Sequence, residues 1–514
     1  MATTNTGTAA AEQLTGELLT GELLTGERYL ESLRDRRQVY LDGELVPDVT
    51  EHPAFRNSAR SIARLYDALH DPELRDVLTA TDGLGIRTHQ FFKPSRSATE
   101  LMEAREAIAC WSRMSYGFMG RTPDYKASFM AGLAANPEFY EPYEANARAW
   151  YEKYARRGLF LNHVIVNPPI DRKRPVHEMA DVFVHVEREA DGGIIVSGAK
   201  MLATGSALTH ATFVAQNSAA QLEPGRAEDF ALVFFAAMDN PGAKLVSRRS
   251  YATNTDSPFD QPLSRRFDEN DAVLIFDEAF IPWEDVLVYR DVRKATAFYA
   301  QSGFANRYNF QSGVRLGVKL DLMSGLFARA AHANGTDDFR GVQAAIGEVI
   351  NMRHTVWALT AAMALDPEPG ANGTALPKLE YASALRMYAT QAWARVHELF
   401  ESHLGGAPIL TPSTHRDLKN PDLRRIVDRF YRGSDSSAEE RIKLFKLVWD
   451  AIGTEFGARH ELYERNYSGN TEQIRLDALN WARRRGQLEE LTGFVQQCMD
   501  DYGLDGWTRG PWID

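Results

Sequence analysis

The spacing of apolar residues changes twice along this chain. The first third has apolar residues every three or four positions, which is the period of an α-helix. Residues 181–206 instead alternate apolar and polar positions on both sides of Asp191-Gly192-Gly193, which predicts strands joined by a tight turn. After residue 290 the helical period returns. The pattern predicts an α+β fold in which a helical domain, an antiparallel β domain and a helical bundle follow one another.

Four long helical segments in the last part of the chain predict a four-helix bundle. They cover 312–333, 340–365, 380–403 and 437–453. In the first part, Gly158 predicts a helix end, and Asp42-Gly43 predicts the turn of a hairpin within 38–46. We therefore expect a disordered tail with a TGELL repeat, a helical domain, a β domain and a bundle domain. Their predicted limits are 1–26, 27–158, 159–290 and 291–514.

Charge and composition exclude several classes of partner. The chain has 58 Lys and Arg against 70 Asp and Glu, a net charge of −12, and no basic run long enough to follow a phosphate backbone. We therefore expect no nucleic-acid partner. The most apolar runs are too short or too charged to span a bilayer, and the N-terminus lacks the order of a signal peptide. We expect a cytoplasmic protein with no membrane partner, and its two cysteines fit a reducing compartment.

Several common site motifs are missing from the sequence. GLGIRT (83–88) has only two of the three glycines of a dinucleotide-binding fingerprint, and no predicted strand leads into it. HELFESH (397–403) and HELYE (460–464) have no second histidine four residues after the first, as a zinc pair requires, so we expect no metal site. The sequence also lacks a phosphate-binding GxxxxGK(S/T) loop and a GxSxG nucleophile motif.

Two stretches carry the strongest candidate chemistry. In NHVIVNPPIDRKRP (162–175), His163 heads a predicted strand at the junction of the helical and β domains, where ligand sites often form. In YGFMGRTPDYKASF (116–129), a turn between helices offers Arg121 and then Tyr125. A cation and a phenol in this arrangement suit an oxygen that carries negative charge. The pattern alone leaves two structural alternatives open: a locally bonded histidine and an arginine that caps helix carbonyls.

Five stretches of the chain together resemble a known family. They are MGRTPDY, NHVIVNPPIDR, VSGAKMLATGSALTH, SRRFDENDAVLIFDEAFIPWEDV and FGARHELYERNYSG. They resemble the oxygenase components of two-component 4-hydroxyphenylacetate 3-monooxygenases, and the resemblance runs from about residue 27 to residue 508. It implies an acyl-CoA dehydrogenase-like fold assembled as a homotetramer. It also implies FAD (as FADH2) and O2 as cofactors, a separate flavin reductase as partner, and ortho-hydroxylation of a phenol through a C4a-hydroperoxyflavin.

The resemblance also implies roles for individual residues. Arg121, Tyr125 and His163 would hold the phenolic oxygen of the substrate and act in catalysis. Ser218 would contact the substrate from a loop that folds over it. The implied flavin contacts are His163, Asn167, Asp171, Arg172, Thr204, Ser206, Asn466 and Tyr467 from the same chain, and Arg340 and Gln343, at the pyrophosphate, from a neighbouring subunit.

The resemblance implies that the substrate is a phenol. The family includes enzymes for free 4-hydroxyphenylacetate, for chlorophenols, for tyrosine-like acids and for tyrosine derivatives on a peptidyl carrier protein, and the sequence leaves the choice among these substrates open. The tail repeat and the stretch 217–229 point to a specialised member, such as one acting on a chlorinated β-tyrosyl carrier protein in enediyne biosynthesis. An acyl-CoA dehydrogenase-like flavoenzyme and a non-enzymatic assembly scaffold are the alternatives. A 4-hydroxybutyryl-CoA dehydratase is excluded because its iron–sulfur cluster needs more cysteines than the two in this chain.

Overall fold

The computed structural model describes residues 22–171, 173–216, 222–467, 469 and 471–511. Helices dominate the first part of the described chain. They are α1 (Gly26–Ser32), α2 (Arg56–Ala68), α3 (Arg75–Leu78), α4 (Ala98–Met114), α5 (Pro123–Ala135) and α6 (Glu144–Arg157). Nearly every residue of α5 is buried, so this helix lies inside the molecule. Gly158 ends α6 with a φ of 64°, a left-handed conformation that glycine adopts readily, as its place in the sequence predicts.

Two β-sheets form the middle of the molecule. Their strands are β1 (Gln38–Leu41), β2 (Glu44–Leu45), β5 (Leu161–Val164), β6 (His185–Ala190), β7 (Gly193–Lys200), β8 (Ala211–Val214), β9 (Leu232–Ala237), β10 (Ala243–Ser247), β11 (Ala272–Pro282) and β12 (Val286–Tyr289). Two further strands, β3 (Thr79–Thr81) and β4 (Arg87–His89), pair with each other outside these sheets. The larger sheet has the order β2-β1-β10-β11-β7-β6, and the smaller has the order β12-β9-β8-β5. Neighbours in these sheets run antiparallel except for β1 with β10 and β5 with β8.

Both predicted turns are present in these sheets. Ala190 pairs with Gly193 at the end of the β6–β7 hairpin, so the predicted Asp-Gly-Gly turn lies there. Asp42 and Gly43 have φ values of 54° and 83° between β1 and β2, which pair antiparallel. Two residues with positive φ are typical of a tight hairpin turn. Because β1 pairs with β10, the sheet includes a strand that precedes most of the helical region.

The rest of the described chain is mainly helical. Its helices are α7 (Ser264–Phe267), between β10 and β11, and then α8 (Val292–Gln301), α9 (Phe304–Ala333), α10 (Arg340–Leu365), α11 (Leu379–Leu404), α12 (His415–Lys419), α13 (Pro421–Phe430), α14 (Ala438–Ile452), α15 (Glu455–Asn466), α16 (Thr471–Arg484) and α17 (Gln487–Met499). Two short strand pairs complete it: β13 (Glu368–Pro369) with β14 (Ala375–Leu376), and β15 (Tyr502–Gly503) with β16 (Gly506–Trp507). Helix α9 packs against α10, α11 and α14, which form the predicted bundle with it.

One junction brings helices, sheet and bundle together. Helix α5 packs against α9 and β5, and α15 packs against α11 and α14. Phe129 of α5 stacks on Phe213 of β8, with ring centroids 4.4 Å apart. Tyr125 of α5 meets Tyr467, which follows α15, edge to face at 6.3 Å. Residues that are far apart in the sequence therefore face one common space.

The predicted domain limits stay predictions. Of the predicted disordered tail, residues 1–21 lie outside the described residues. Leu24 is 1% exposed, and its N–H donates to the carbonyl of Arg157 at 3.1 Å, so this part of the segment packs on the helical region. Within the described chain, no helix combines the length and the apolar character needed to cross a bilayer.

Candidate active site

A cavity of about 470 Å³ opens at the junction of α5, β5 and α15. Cavities of this size commonly hold small molecules or parts of cofactors. About half of the lining residues are aromatic or aliphatic, and most of the others carry charged or polar side chains. The predicted site residues that line the cavity are Arg121, Tyr125, His163, Thr204, Asn466 and Tyr467. The structure therefore gathers residues from the helical region, the β region and the end of α15 around one space.

Arg121 lies in the turn that precedes α5. Pro123 occupies the first turn of that helix, where its fixed φ fits and its missing N–H leaves no hydrogen bond unmade. The backbone N–H groups of Gly120 and Arg121 donate to the buried carboxylate of Glu269, at 2.9 and 2.5 Å. The carboxylate fixes the backbone of this turn, and the Arg121 side chain extends into the cavity.

Three phenol rings surround the Arg121 guanidinium. Its Cζ lies 4.2 Å from the ring centroid of Tyr125 and 5.2 Å from those of Tyr463 and Tyr467. Its Nη1 donates to the Tyr463 hydroxyl at 3.2 Å. The ring faces stabilise the cation. Among the described residues, however, no carboxylate lies within ion-pair distance of this guanidinium.

His163 lies on β5 and faces the same space. Its ring stacks on Tyr125, with centroids 5.7 Å apart, and meets Phe304 edge to face at 5.9 Å. Its Nδ1 lies 2.9 Å from the Nζ of Lys126. Burial, together with the positive charges of Lys126 and Arg121, holds the pKa of His163 well below its ordinary value. The imidazole is therefore neutral near pH 7.

Lys126 is a buried base that the sequence pattern did not assign to the site. It is 1% exposed, on the same helix as Tyr125. Burial lowers the pKa of Lys126 well below its ordinary value, and Arg121 strengthens this effect while Glu269 opposes it. We call Arg121, Lys126 and His163 the cavity cluster. Three basic side chains here have one nearby carboxylate, so the cluster favours an anion.

The tyrosines around the guanidinium stay protonated. Burial raises the pKa of Tyr125, Tyr463 and Tyr467 above the ordinary value of a phenol, although the charge of Arg121 opposes part of the rise. Tyr463 and Tyr467 stack on each other with centroids 4.9 Å apart. Each hydroxyl therefore keeps a proton and remains a hydrogen-bond donor.

A second arginine lines the side of the cavity next to β11. Arg459 donates to Asp271 from Nη2 at 2.9 Å and from Nε at 3.0 Å, and Arg248 reaches the same carboxylate at 3.0 Å. Thr204 also donates to Asp271, at 2.6 Å. Although burial alone would raise it, the two arginines hold the pKa of Asp271 below its ordinary value. The Nη1 of Arg459 has no hydrogen bond within the described part of the chain and lies 3.7 Å from Glu269.

Three predicted flavin contacts do not line the cavity. The side chain of Asn167 accepts a hydrogen bond from the Nζ of Lys200 at 2.7 Å. Asp171 is exposed. Ser206 is fully buried, and the side chain of Asn162 donates to its hydroxyl. These side chains are committed to protein partners or to solvent, and a role at the flavin stays a prediction for them.

Four further predicted residues have no position at the cavity of this chain. Arg340 and Gln343 are exposed at the start of α10. Their predicted contact involves a neighbouring subunit, so a single chain does not test it. Arg172 and Ser218 lie outside the described residues.

Another wall of the cavity consists of groups that the sequence pattern did not reveal. Arg386 of α11 pairs with Asp477 of α16, with 3.1 Å between Nη1 and Oδ2. The hydroxyls of Tyr299 and Tyr308 lie 2.5 Å apart on α8 and α9. All four line the cavity. Across the described residues, no group of three or more His, Cys, Asp or Glu side chains is placed to hold a metal ion.

The sequence matches one family in both halves. Residues 25–288 match the family described as 4-hydroxyphenylacetate 3-hydroxylase N terminal, and residues 295–496 match its C terminal counterpart. The pyoverdin chromophore biosynthetic protein PvcC of Pseudomonas aeruginosa is 64% identical over 94% of this chain and 97% of that protein. A Streptomyces globisporus monooxygenase, named for a 3-amino-3-(3-chloro-4-hydroxyphenyl)propanoyl group on the peptidyl-carrier protein SgcC2, is 49% identical over 97% of this chain and 93% of that protein.

The fold matches a crystal structure of the same family. It is the oxygenase component HpaB of 4-hydroxyphenylacetate 3-monooxygenase, complexed with FAD and 4-hydroxyphenylacetate. The TM-score is 0.87 at 30% identity, over 93% of this chain and 99% of that chain. This likeness confirms the predicted fold class and the resemblance read from the sequence. The chain belongs to the 4-hydroxyphenylacetate 3-hydroxylase family.

Proposed function

We propose that this chain is the oxygenase component of a two-component, FADH2-dependent monooxygenase that converts a phenol into a catechol. The observation that carries the proposal is the Arg121 guanidinium, which lines the cavity without a carboxylate in ion-pair distance among the described residues. A largely desolvated cation of this kind favours an anionic ligand. A phenolate oxygen supplies that charge, and its ring fits a cavity with aromatic walls.

The cavity cluster activates the phenol through its oxygen. An unperturbed phenol has a pKa of about 10 and is almost entirely neutral at pH 7. Hydrogen bonds from Arg121, His163 and the Tyr125 hydroxyl favour the phenolate over the phenol. The ionised oxygen releases electron density into the ring and makes the carbon ortho to it a nucleophile. That carbon accepts the transferred oxygen atom, so these three residues are the proposed catalytic residues.

The neighbouring residues fit a flavin. The apolar side chains of Val166, Met201 and Leu202 line the cavity together with the Tyr467 ring, as a planar ring system requires. Thr204 and Arg459 line the same side of the cavity, which adds polar groups beside this apolar wall. When bound, reduced FAD would supply the two electrons that activate O2, and O2 would supply the oxygen atom that is transferred.

The cofactor is reduced elsewhere. The relatives named as oxygenase components are one part of a two-component system. This sequence lacks a nicotinamide-binding fingerprint, which supports a separate flavin reductase as the source of FADH2. Neither the acyl-CoA dehydrogenase-like alternative nor the scaffold alternative is favoured by the family match. His163, Thr204, Asn466 and Tyr467 are the predicted flavin contacts that line the cavity, which supports a role for them at the flavin.

The proposed substrate is a phenol with a side chain para to the hydroxyl group. The HpaB structure holds 4-hydroxyphenylacetate, and the Streptomyces globisporus relative is named for a chlorinated 4-hydroxyphenyl group on a carrier protein. Both carry a substituent opposite the phenolic oxygen. Free and carrier-bound forms of such a phenol are therefore the two substrates to compare.

The proposed assembly is a homotetramer. Helix α17 has no buried residue, yet Leu491, Phe494 and Val495 are 58%, 73% and 57% exposed on it. Exposed apolar side chains on one helix are typical of a surface that another copy of the chain covers. Light scattering at micromolar protein concentration would give the mass of four chains under this proposal.

Product analysis with and without a flavin reductase tests the function. The purified chain, NADH, FAD, O2 and 4-hydroxyphenylacetate should give no NADH oxidation and no catechol. Addition of a flavin reductase should give 3,4-dihydroxyphenylacetate, and the reductase without this chain should give only hydrogen peroxide. A carrier-bound tyrosyl substrate is assayed in parallel. NADH oxidation by the chain alone, or no catechol from either substrate, would contradict the proposal.

A further inference from the structure

Lys126 contacts His163 on the side of the imidazole that faces away from the cavity. His163 lines the cavity and Lys126 does not, although their Nδ1 and Nζ atoms are 2.9 Å apart. Lys126 is 1% exposed, and no carboxylate among the described residues lies within ion-pair distance of it. Its Nζ also lies 4.7 Å from the ring centroid of Tyr125. The lysine can therefore reach a ligand only through the imidazole.

The two nitrogens of His163 have different surroundings. Nδ1 is occupied by Lys126, while Nε2 has no hydrogen-bond partner within the described part of the chain. Because His163 lines the cavity, Nε2 is the nitrogen that meets a ligand. A neutral imidazole has one N–H, and the group that bonds one nitrogen decides where this proton lies. The role of His163 at a phenolic oxygen therefore depends on what Lys126 does at Nδ1.

We propose that Lys126 is a positioning residue that donates a hydrogen bond to Nδ1 of His163, keeps the imidazole proton on Nε2, and so makes His163 a donor to the ligand oxygen. This inference rests on the proposed function for the identity of that oxygen. A carboxylate in the place of Lys126 would bind an Nδ1–H and leave Nε2 as a base, which is the arrangement of hydrolytic triads. A lysine reverses the polarity of the imidazole. His163 then stabilises a phenolate instead of removing a proton.

The charge of Lys126 decides how firmly the tautomer is fixed. Burial lowers the pKa of this lysine, and Arg121 and Glu269 are the charged groups that act on it, with opposite effects on that pKa. A charged amine has three N–H donors and no lone pair, so it can only donate to Nδ1 and it fixes the proton on Nε2. A neutral amine can donate to Nδ1 or accept from an Nδ1–H, so the Nε2–H tautomer should be held most firmly below the pKa of Lys126.

Nitrogen NMR of the full chain with labelled histidine tests this inference in the absence of flavin and phenol. The His163 signals are assigned by their loss in His163→Gln. The wild type should show the Nε2–H tautomer. Lys126→Gln and Lys126→Met have side chains of equal length, but only glutamine can donate to Nδ1. The glutamine variant should keep the tautomer, and the methionine variant should show a mixture of both tautomers. An Nδ1–H tautomer in the wild type, or the same tautomer in Lys126→Met, would overturn the inference.

A second readout separates this inference from the proposed function. The fraction of FADH2 that yields catechol should fall about 10-fold in Lys126→Met, because His163 loses its directed N–H, and glutamine should restore part of it. Equal loss in both variants would overturn the inference, since packing alone would then explain it. The absence of catechol from the wild type would contradict the proposed function. The NMR measurement of the His163 tautomer would still test the role of Lys126, because it needs neither flavin nor phenol.

Discussion

Buried charge is arranged differently on the two sides of Tyr463. The ring centroid of Tyr463 lies 5.2 Å from the Arg121 guanidinium and 5.4 Å from that of Arg315. The cavity cluster is on the Arg121 side. On the other side, Arg315 and Lys319 of α9 meet Glu464 of α15, and we call these three residues the closed cluster.

The closed cluster contains a carboxylate that pairs with both of its basic side chains. Two nitrogens of Arg315 donate to the two oxygens of Glu464, at 2.6 and 2.7 Å, and Lys319 donates to the same carboxylate at 3.0 Å. All three side chains are at most 1% exposed. Lys319 also lies 3.2 Å from Nδ1 of His460, so the lysine–histidine contact of the cavity cluster recurs here.

The lysine–histidine contact lies in a different environment in each of the two clusters. The Nε2 of His460 is buried without a partner among the described residues, whereas His163 lines the cavity. The closed cluster contains its own carboxylate. The cavity cluster has only Glu269 nearby, and that carboxylate accepts from backbone N–H groups. A complete buried cluster stabilises the fold, while an incomplete one beside a cavity is suited to a ligand.

The largest expected effect is a loss of stability when the ion pairs of the closed cluster are broken. Glu464→Gln removes the carboxylate and leaves Arg315 charged and buried. Breaking a buried ion pair in this way lowers the free energy of unfolding by about 3–5 kcal/mol. Urea unfolding near pH 7 measures the loss.

Glu461→Gln on the same helix is the matched control. Glu461 pairs with Arg465 at 2.7 Å, but the two side chains are 27% and 51% exposed. Solvent screens such a pair, so its loss should change the free energy of unfolding by less than about 1 kcal/mol. Equal losses of unfolding free energy in Glu464→Gln and Glu461→Gln would show that the closed cluster stabilises the fold no more than an exposed ion pair does.

The pH dependence of stability should report the same carboxylate. Although burial alone would raise it, Arg315 and Lys319 lower the pKa of Glu464 from 4.5 to about 2 in the folded protein. A depressed folded-state pKa means that the stabilisation is fully present above pH 4.5 and is lost as the pH falls toward about 2. The difference in free energy of unfolding between wild type and Glu464→Gln should therefore shrink by roughly 3 kcal/mol over this window. A difference that stays constant on acidification would contradict this.

Removing a side chain of the cavity cluster should slow the hydroxylation and leave the stability of the fold nearly unchanged. His163→Ala removes a donor to the phenolate and should slow oxygen transfer about 10- to 150-fold, which corresponds to a loss of about 1.5–3 kcal/mol. Catechol should fall and hydrogen peroxide should rise for each FADH2 consumed. Arg121→Ala and Tyr125→Phe should shift the ratio in the same direction. An unchanged product ratio in His163→Ala would leave this histidine with a packing role.

His210→Ala is the control for a buried histidine outside the cavity. The ring of His210 bonds the backbone of Phe160 and the hydroxyl of Ser32, at 2.9 Å in each case, and does not line the cavity. Its removal should lower thermal stability and leave the ratio of catechol to hydrogen peroxide as in the wild type. A changed ratio would mean that the assay responds to general loosening of the fold.

The smallest expected effect concerns the ring between the two clusters. Tyr463→Phe keeps the ring but removes the hydroxyl that accepts from Arg121 at 3.2 Å. The loss of one such hydrogen bond corresponds to about 0.5–1.5 kcal/mol, or about a 2- to 10-fold weaker Kd for the phenol. Calorimetric titration measures this change. A larger loss would mean that the hydroxyl itself contacts the ligand.

Local sequence patterns predicted the elements of this fold well. The long helical period of 340–365 is α10, and Gly158 ends α6 where a left-handed residue is required. Asp42-Gly43 forms the turn between β1 and β2. These features depend on neighbours within a few residues, so the local sequence carries the information.

Long-range pairings explain what the sequence could not predict. Lys126 sits in the same quoted stretch as Arg121, yet its role depends on His163, which is 37 residues away. Tyr463 meets Arg121 across 342 residues. Ser206 follows Thr204 closely in the sequence, but only Thr204 reaches the cavity because Ser206 turns into the core. A lysine in a mostly apolar helix was a local sign of a missed site residue.

The ionisation of a bound phenol tests the central claim most directly. Fluorine NMR of a ring-fluorinated 4-hydroxyphenylacetate reports its pKa free in solution and bound to the full chain. The cavity cluster should lower the bound pKa by about one to three units relative to the free phenol, and Arg121→Ala should return it most of the way. The predicted result is a lowered pKa of the phenol bound to the wild type and a nearly unchanged pKa of the phenol bound to Arg121→Ala. A bound pKa equal to or above the free value would contradict the claim that this cavity binds a phenolate.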